Sequence, residues 1–397
     1  MKSPVHALGV SSILAYGWLY YSFAKTGSAL ADQFGLSLPD IMLGLSGALL
    51  LEGIISPWIG RQIDQRGALR VMAAGFFLGA VAMGLLLLGT SVWLFYLAMF
   101  LLAFAHGFTT YSASFAAAVQ LSPDTSRRHM SIITFYGGVA SSLIWLASGF
   151  LMAQGGLSAV LIAAIVCLLA ASVVFARLGQ RHQPAGAAPS QPSPFRWSIL
   201  SPTERRSLVL LAATSAFEYC VFGAVTLMYI QHFTAMFGDA GIAVVLAAIY
   251  GPFQVVGRVI EMRYGGHIDA RKTGMLAFVV NPIALALALV DNLYVAGLAM
   301  VLFGMANGVL TVTMGYIIQM YFRPEVYGRA RGWINVPGAI GGALGPSLGG
   351  LLFIALGVQF MWVFVALAGL AAVVFLGVLR TPPRTAVEAG VEAEAEA

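Results

Sequence analysis

A polar turn, GRQIDQRGALR at residues 60–70, separates two long apolar runs of the chain. A related turn, GGHIDARK at residues 265–272, lies between two apolar runs of the second half and carries Asp269 where the first turn carries Asp64. Shorter matches recur at a similar offset: DQFG ending at Gly35 with TAMFG ending at Gly238, Tyr16 with Tyr219, and AHG at 105–107 with ANG at 306–308. Such repeats predict two halves of the same fold, related by an axis normal to a membrane.

The composition is typical of a polytopic membrane protein. Charged residues make up 9% of the chain and hydrophobic residues 59%, with a mean hydropathy of +0.87, whereas soluble domains carry about 25% charged residues. The first apolar run is too long for a secretory signal peptide, so we expect it to remain as the first spanning helix. Cys167 and Cys220 lie in apolar segments without metal or redox spacing, and we expect neither a metal nor a cofactor.

Windows of about 20 apolar residues predict membrane-spanning helices. The predicted fold class is an all-α membrane protein with twelve transmembrane helices in two six-helix bundles. We expect a first bundle over 1–178, a cytoplasmic linker over 179–205, a second bundle over 206–380, and a disordered acidic cytoplasmic tail over 381–397. The predicted helices are 6–31, 39–61, 70–90, 92–121, 129–154 and 156–178, and then 206–236, 240–262, 273–290, 292–322, 330–356 and 358–380.

The basic residues predict the orientation of the chain in the membrane. Of the 21 Lys and Arg residues, all except Lys25 and Arg258 fall at the chain ends or in connections on one side of the predicted bundle. The connections on the other side hold Asp32, Asp239 and Asp291. By the positive-inside rule, both termini are expected in the cytoplasm.

The turn at residues 60–70 resembles the signature of the major facilitator superfamily, and the resemblance covers essentially the whole chain. The family pattern is a glycine, three residues and an aspartate, followed by basic residues and a glycine. The resemblance implies alternating access between two bundles, with this turn as part of the gate. It assigns gating roles to Gly60, Asp64, Arg66 and Arg70, and to Asp269 and Arg271 in the repeat.

Within the superfamily the chain looks most like the monocarboxylate porters and oxalate/formate exchangers. The resemblance lies in YGWLYYSFAKTGSALADQFG, in PWIGRQIDQRGALRVMAAG and in FQVVGRVIEM. It implies that Arg258 binds a carboxylate and that Lys25 matches the lysine of the porters' first helix. The chain departs from the porters at Gln254, where they carry an aspartate, and from the oxalate exchangers at Asn335, where they carry a lysine.

A charge inside the membrane costs on the order of 3 kcal/mol, so such residues face a cavity or a partner. Lys25 either contributes to a site or extends to the outer interface. Arg258 either binds substrate or forms a structural pair with Glu261, one turn along the same helix face. For Glu261, close to the cytoplasmic end beside Arg263, we favour gating or structure.

Glu218 is the first candidate for a proton carrier, because a desolvated carboxyl group can load and release a proton near neutrality. Glu52 is its rival, and a hydrogen bond in helix packing is the alternative for both. His106 and Asn307 occupy repeat-related positions, where they either line a cavity as substrate-binding residues or pack between helices. Tyr16 and Tyr219 are candidates for the cavity wall.

The sequence therefore predicts a secondary transporter that moves a small organic anion, a monocarboxylate, with a proton. The alternative is a proton-coupled exporter of drugs or amphiphiles, although the fifth predicted helix lacks the proline-containing pattern of such exporters. An enzyme is not indicated, since HExxH and nucleotide-binding glycine loops are missing. We expect a monomer with no nucleic-acid partner. Eighteen arginines against three lysines suggest a bacterial plasma (inner) membrane.

Overall fold

The structure is a computed structural model that describes residues 4–181, 197, 200–265 and 268–379. Every regular element within these ranges is helical. The predicted tail, 381–397, lies outside the described residues, and so does the predicted linker, 179–205, apart from its two ends and Trp197.

The described residues of the first half form seven α-helices, a π-helical turn and a short 3-10 turn (Pro123–Thr125). The helices and the π turn are α1 (Val5–Tyr16), the π turn (Gly17–Tyr21), α2 (Phe23–Phe34), α3 (Leu38–Arg66), α4 (Ala68–Leu88), α5 (Val92–Thr109), α6 (Tyr111–Leu121) and α7 (Ser126–Arg181). Within α7, Gly155 and Gly156 leave the helical conformation and divide it into two spans.

The second half forms six helices. They are α8 (Pro202–Phe237), α9 (Ala240–Tyr264), α10 (Ala270–Ala288), α11 (Leu293–Tyr321), α12 (Tyr327–Leu356) and α13 (Val358–Gly377). Across the described residues, seven helical stretches are long and apolar enough to cross a membrane.

The prediction of an all-α membrane protein with twelve spanning helices in two bundles is confirmed. Two spans predicted as continuous helices are interrupted, however. The first contains the π turn between α1 and α2, and the fourth is broken at Thr110 between α5 and α6. The apolar windows missed both interruptions because neither changes the hydropathy of the run.

The chain divides into two compact units. The first contains α1 to α7 together with residues Pro324–Gly332, which include the first residues of α12. The second contains α8 to α11, α12 from Trp333 onward, and α13. A nine-residue segment from the second half of the sequence therefore packs with the first bundle.

Short polar signals set the helix ends. Ser37 begins α3 with a capping box completed by Asp40, and Ser201 begins α8 in the same way with Glu204, which satisfies backbone N–H groups that have no partner within the helix. Gly35 ends α2 and Gly238 ends α8, both in the left-handed conformation. The DQFG and TAMFG repeats of the sequence are thus equivalent helix stops.

Gly60 permits a close backbone contact within the first unit. A Cβ atom at this position would overlap the carbonyl oxygen of Gly328. We expect Gly60→Ala to destabilise the protein by about 1–3 kcal/mol through overpacking, seen as a lower apparent unfolding temperature in detergent. Gly47→Ala in the same helix is the matched control, because a Cβ there meets no atom and alanine favours the helix by about 1 kcal/mol. Equal unfolding temperatures of Gly60→Ala and Gly47→Ala would contradict this expectation, because they would show that the backbone at Gly328 can move away from the added Cβ.

Candidate functional site

Glu52 of α3 and His106 of α5 form an acid–imidazole pair in the first unit. His106 Nδ1 lies 2.6 Å from Glu52 Oε2, and the side chains are 9% and 19% exposed, respectively. Gly107, the next residue along α5, packs directly on Glu52, because a Cβ there would lie 3.0 Å from Glu52 Cγ. The pair therefore combines two titratable groups, largely removed from solvent, inside helices that span the membrane.

Tyrosine rings surround the imidazole. Tyr16 lies edge-to-face with His106 at a centroid distance of 5.6 Å, and Tyr20 does so at 6.5 Å. Tyr111 packs on Tyr16 at 4.7 Å, and its backbone N–H points to the Tyr16 hydroxyl oxygen at 3.4 Å. The predicted wall residue Tyr16 and the candidates Glu52 and His106 are thus brought together, and Tyr20 and Tyr111 join them.

The backbone is irregular beside this cluster. In the π turn, the Ser22 N–H donates to the Gly17 carbonyl at 2.9 Å. The Ser22 hydroxyl donates to the Trp18 carbonyl at 2.7 Å, and the Trp145 indole N–H donates to the Tyr21 carbonyl at 3.1 Å. Single π-helical turns often occur at functional sites.

The break between α5 and α6 adjoins the same cluster. Thr110 is extended, with ψ of −166°, and its N–H still donates to the His106 carbonyl at 3.0 Å. The π turn carries Tyr20, and the helices that meet at Thr110 carry His106 and Tyr111. Both interruptions therefore place side chains around the acid–imidazole pair.

Arg258 lies on α9 in the second unit and is buried, with 5% exposure. Its Nη2 donates to Gln254 Oε1 at 3.0 Å, and Gln254 Nε2 donates to the Tyr250 hydroxyl at 2.9 Å. Gln254 is thus a neutral partner of the guanidinium.

The remaining candidates of the second unit lie on α8 and α11. Asn307 is buried, and its amide donates to the Phe303 carbonyl of its own helix at 2.8 Å, a contact typical of a packing residue. Glu218 is half-buried on α8, and Tyr219 is exposed beside it. In the first unit, Lys25 is exposed on α2, one turn beyond Tyr21.

Asp64, at the end of α3, is held inside the first unit. Its carboxylate accepts hydrogen bonds from the backbone N–H groups of Gly328 and Arg329 at 2.8 and 2.9 Å, and from Arg329 Nε at 2.8 Å. The Asp64 side chain is 1% exposed. The carboxylate therefore binds the start of α12, where N–H groups and the helix dipole favour a negative charge.

Arg331 adds a second group of contacts near the start of α12. Its guanidinium lies 4.9 Å from the ring centroid of Phe115, and Nη1 donates to the hydroxyl of the fully buried Tyr327 at 3.2 Å. The positive-inside pattern places Arg329 and Arg331 among the basic connections and does not indicate that they are partners of α3 and α6. Arg66 and Arg70, for which gating roles are predicted, are exposed.

The repeat of this turn in the second unit is arranged differently. Asp269 caps α10 and pairs with Arg271, two residues along, at 2.7 Å, with side chains 26% and 19% exposed. Burial alone would raise the pKa of Asp269, but hydrogen bonds from the Arg271 side chain and backbone lower it overall. Glu261 is buried near the end of α9, and a Cβ at Gly265 would overlap its carboxylate.

The described residues contain no group of three or more His, Cys, Asp or Glu side chains arranged to hold a metal ion.

Comparison with known proteins identifies the family. The sequence profile described as Major Facilitator Superfamily matches residues 7–268 and again 208–396. No curated protein sequence matches the chain significantly.

Solved structures share the fold at low sequence identity. The fucose:proton symporter of E. coli is 12% identical, covers 95% of this chain and 98% of its own, and has a TM-score of 0.72. The human organic anion transporter TETRAN is 15% identical, with 94% and 100% covered and a TM-score of 0.69. A bacterial homologue of the iron transporter ferroportin is 14% identical, with 94% and 98% covered and a TM-score of 0.73.

The structural similarities show the fold, and the two overlapping profile matches together extend over nearly the whole sequence. The chain is therefore a multi-pass membrane transporter of the Major Facilitator Superfamily.

Proposed function

We propose that the protein is a secondary active transporter that moves a small organic anion, a monocarboxylate, together with a proton by rocker-switch alternating access. The observation that carries the proposal is the Glu52–His106 pair, 2.6 Å apart and largely buried within spanning helices. A carboxylate and an imidazole that share a proton in a low-dielectric site can take up and release a second proton. We infer that this pair carries the coupled proton, with Glu218 as the rival.

The anionic cargo is inferred from the two basic residues within spans. Arg258 is buried within a span, and its Nη2 donates to a neutral glutamine, Gln254. A guanidinium presents parallel N–H donors that match a carboxylate. Lys25 is exposed on α2, where we propose that it attracts the anion toward its site.

Relatives of the same fold support proton coupling but leave the cargo open. One is named a fucose:proton symporter, another an organic anion transporter, and a third a homologue of an iron transporter. The choice of a monocarboxylate therefore rests on Arg258, Lys25 and the resemblance to the monocarboxylate porters. We further propose a bacterial inner membrane, cytoplasmic termini and a functional monomer.

Arg258→Gln tests the proposal in proteoliposomes. We expect proton-driven uptake of pyruvate, lactate, acetate or benzoate by the wild type, and at least about 30-fold slower uptake by the variant, since losing a buried charged partner costs about 2–5 kcal/mol. The control is Arg263→Gln, an exposed arginine five residues along the same helix, which should retain uptake. Uptake of every carboxylate by Arg258→Gln at the wild-type rate would refute the anion site.

The ring cluster of Tyr16, Tyr20 and Tyr111 beside Glu52 favours a second candidate function. Aromatic faces and a carboxylate suit lipophilic cations, as in a proton-coupled drug or amphiphile exporter. Expression in an efflux-deficient host distinguishes the two functions. Raised resistance to cationic drugs, lost in Glu52→Gln, would favour export, whereas unchanged susceptibility favours the anion transporter.

A further inference from the structure

His106 has one ring nitrogen that the acid–imidazole pair does not use. Nδ1 faces Glu52, but Nε2 is buried, and no described donor or acceptor lies within hydrogen-bonding distance of it. The residue as a whole is 7% exposed. A buried polar atom left without a partner costs about 1–3 kcal/mol, so this nitrogen is a position where a ligand atom would be stabilised.

The proton count of the pair sets the chemistry of Nε2. At 2.6 Å, a proton lies between Glu52 Oε2 and His106 Nδ1. With that proton alone, the pair has a charge of −1 and Nε2 is a bare acceptor. A second proton makes the pair neutral, and Nε2 then carries a hydrogen whether Glu52 is a carboxyl group or the imidazole is charged. Nε2 is therefore a donor only when the pair has been loaded.

Few other titratable groups face the imidazole. The elements that pack against α5 are α1, the π turn, α3, α4 and α6. They contribute Tyr16, Tyr20, Glu52 and Tyr111 around the ring. The single charged residue of α4, Arg70, lies in its first turn, whereas α5 meets α4 at Gly75 and Gly79.

We propose that Nε2 of His106 is a proton-gated contact for the anionic group of the cargo. The loaded pair donates a hydrogen bond from Nε2 to a carboxylate oxygen, while the unloaded pair presents a lone pair and a net negative charge that repel it. Binding of the anion and of the second proton are then reciprocally coupled. The inference rests on the proposed function and adds to it the atom at which proton and anion meet.

Tyr20 is the most exposed of the three tyrosines in the cluster. It is 38% exposed, and its ring centroid lies 6.5 Å from that of His106. We therefore expect the cargo to approach the imidazole from the side of Tyr20.

The test is the pH dependence of carboxylate binding to the purified full-length protein. Binding of pyruvate, lactate, acetate and benzoate is measured by thermal shift and calorimetry between pH 5.5 and 8.5, where all four remain ionised. For the wild type, we expect Kd to rise by up to about tenfold per pH unit once the pair unloads.

Three variants separate the possibilities. Glu52→Gln can donate from its amide to Nδ1 and so keeps the hydrogen on Nε2, which makes binding independent of pH and close to the tightest wild-type value. His106→Phe removes the donor, so binding becomes independent of pH and about 10- to 100-fold weaker. His129→Phe, a histidine near the start of α7 that bonds Thr125, should keep the wild-type pH dependence.

The outcomes distinguish this inference from the proposed function. Persistent pH dependence of binding in Glu52→Gln overturns the inference and leaves anion transport standing. Wild-type binding that does not change with pH has the same consequence, and it is the result expected if a buried structural water occupies Nε2. Failure of all four carboxylates to bind at any pH overturns the proposed function itself.

Discussion

Asp64→Ala is expected to destabilise the protein by about 3–5 kcal/mol, because it leaves the Arg329 guanidinium and two backbone N–H groups buried without their partner. The carboxylate is 1% exposed and joins α3 to the start of α12 within one unit. The measurement is the apparent unfolding temperature in detergent. Asp64→Asn retains one acceptor oxygen, so its apparent unfolding temperature should lie between those of the wild type and Asp64→Ala.

Asp269→Ala is the matched control, since the two aspartates occupy equivalent positions of the sequence repeat. The Asp269–Arg271 pair is partly exposed and local, and such surface pairs contribute on the order of 1 kcal/mol or less. We therefore expect a clearly smaller drop than for Asp64→Ala. Equal drops in the unfolding temperature of the two variants would contradict the expectation that the buried Asp64 stabilises the protein more than the partly exposed Asp269.

The second large effect is expected from Glu52→Gln in transport. With one proton per anion, a pH difference of one unit can drive about tenfold accumulation of pyruvate in proteoliposomes. Without the carboxylate, the pair cannot alternate between its two proton counts, so the accumulation ratio should fall to about 1. Exchange of labelled for unlabelled pyruvate at equal pH should continue, because exchange needs no net proton movement.

Glu218→Gln tests the rival proton carrier in the same assay. Loss of accumulation in Glu218→Gln, together with full accumulation in Glu52→Gln, would move the proton site to α8. Protein-free vesicles measured in parallel correct for passive diffusion of the neutral acid.

The spanning helices could be predicted from the sequence because a bilayer imposes long apolar runs. The repeat matches at Gly35 and Gly238 could also be found in the sequence, although only the structure shows that each glycine ends a helix in the left-handed conformation. The interruptions at the π turn and Thr110 could not. They depend on contacts from distant parts of the chain, such as the bond from Trp145 to the Tyr21 carbonyl, and such contacts leave no local pattern.

The candidate site could be predicted residue by residue, but its grouping could not. Glu52 and His106 were assigned separate roles, and only the packing of α3 against α5 shows that they form one pair. The AHG and ANG repeat did mark His106 and Asn307 as equivalent. Asn307, however, donates to its own helix, so the repeat preserved the position and not the side-chain contact.

The contacts of Asp64 could be predicted only in part. Asp64 was identified from its motif, whereas its partners at Gly328 and Arg329 were not, because they come from a connection more than 260 residues away in sequence. A positive-inside count treats every arginine in a loop alike, so it could not separate the buried Arg329 from the exposed Arg66.

The π turn also has a consequence for how the length of the protein can vary. Removing one residue from an ordinary spanning helix rotates everything beyond it by about 100° and exposes the wrong face. Removing one from Gly17–Tyr21 instead lets the Ser22 N–H close an ordinary α-helical bond, and α1 and α2 keep their present neighbours. This turn is thus a place in the first span where relatives of this chain can differ by a single-residue insertion or deletion without a change of fold.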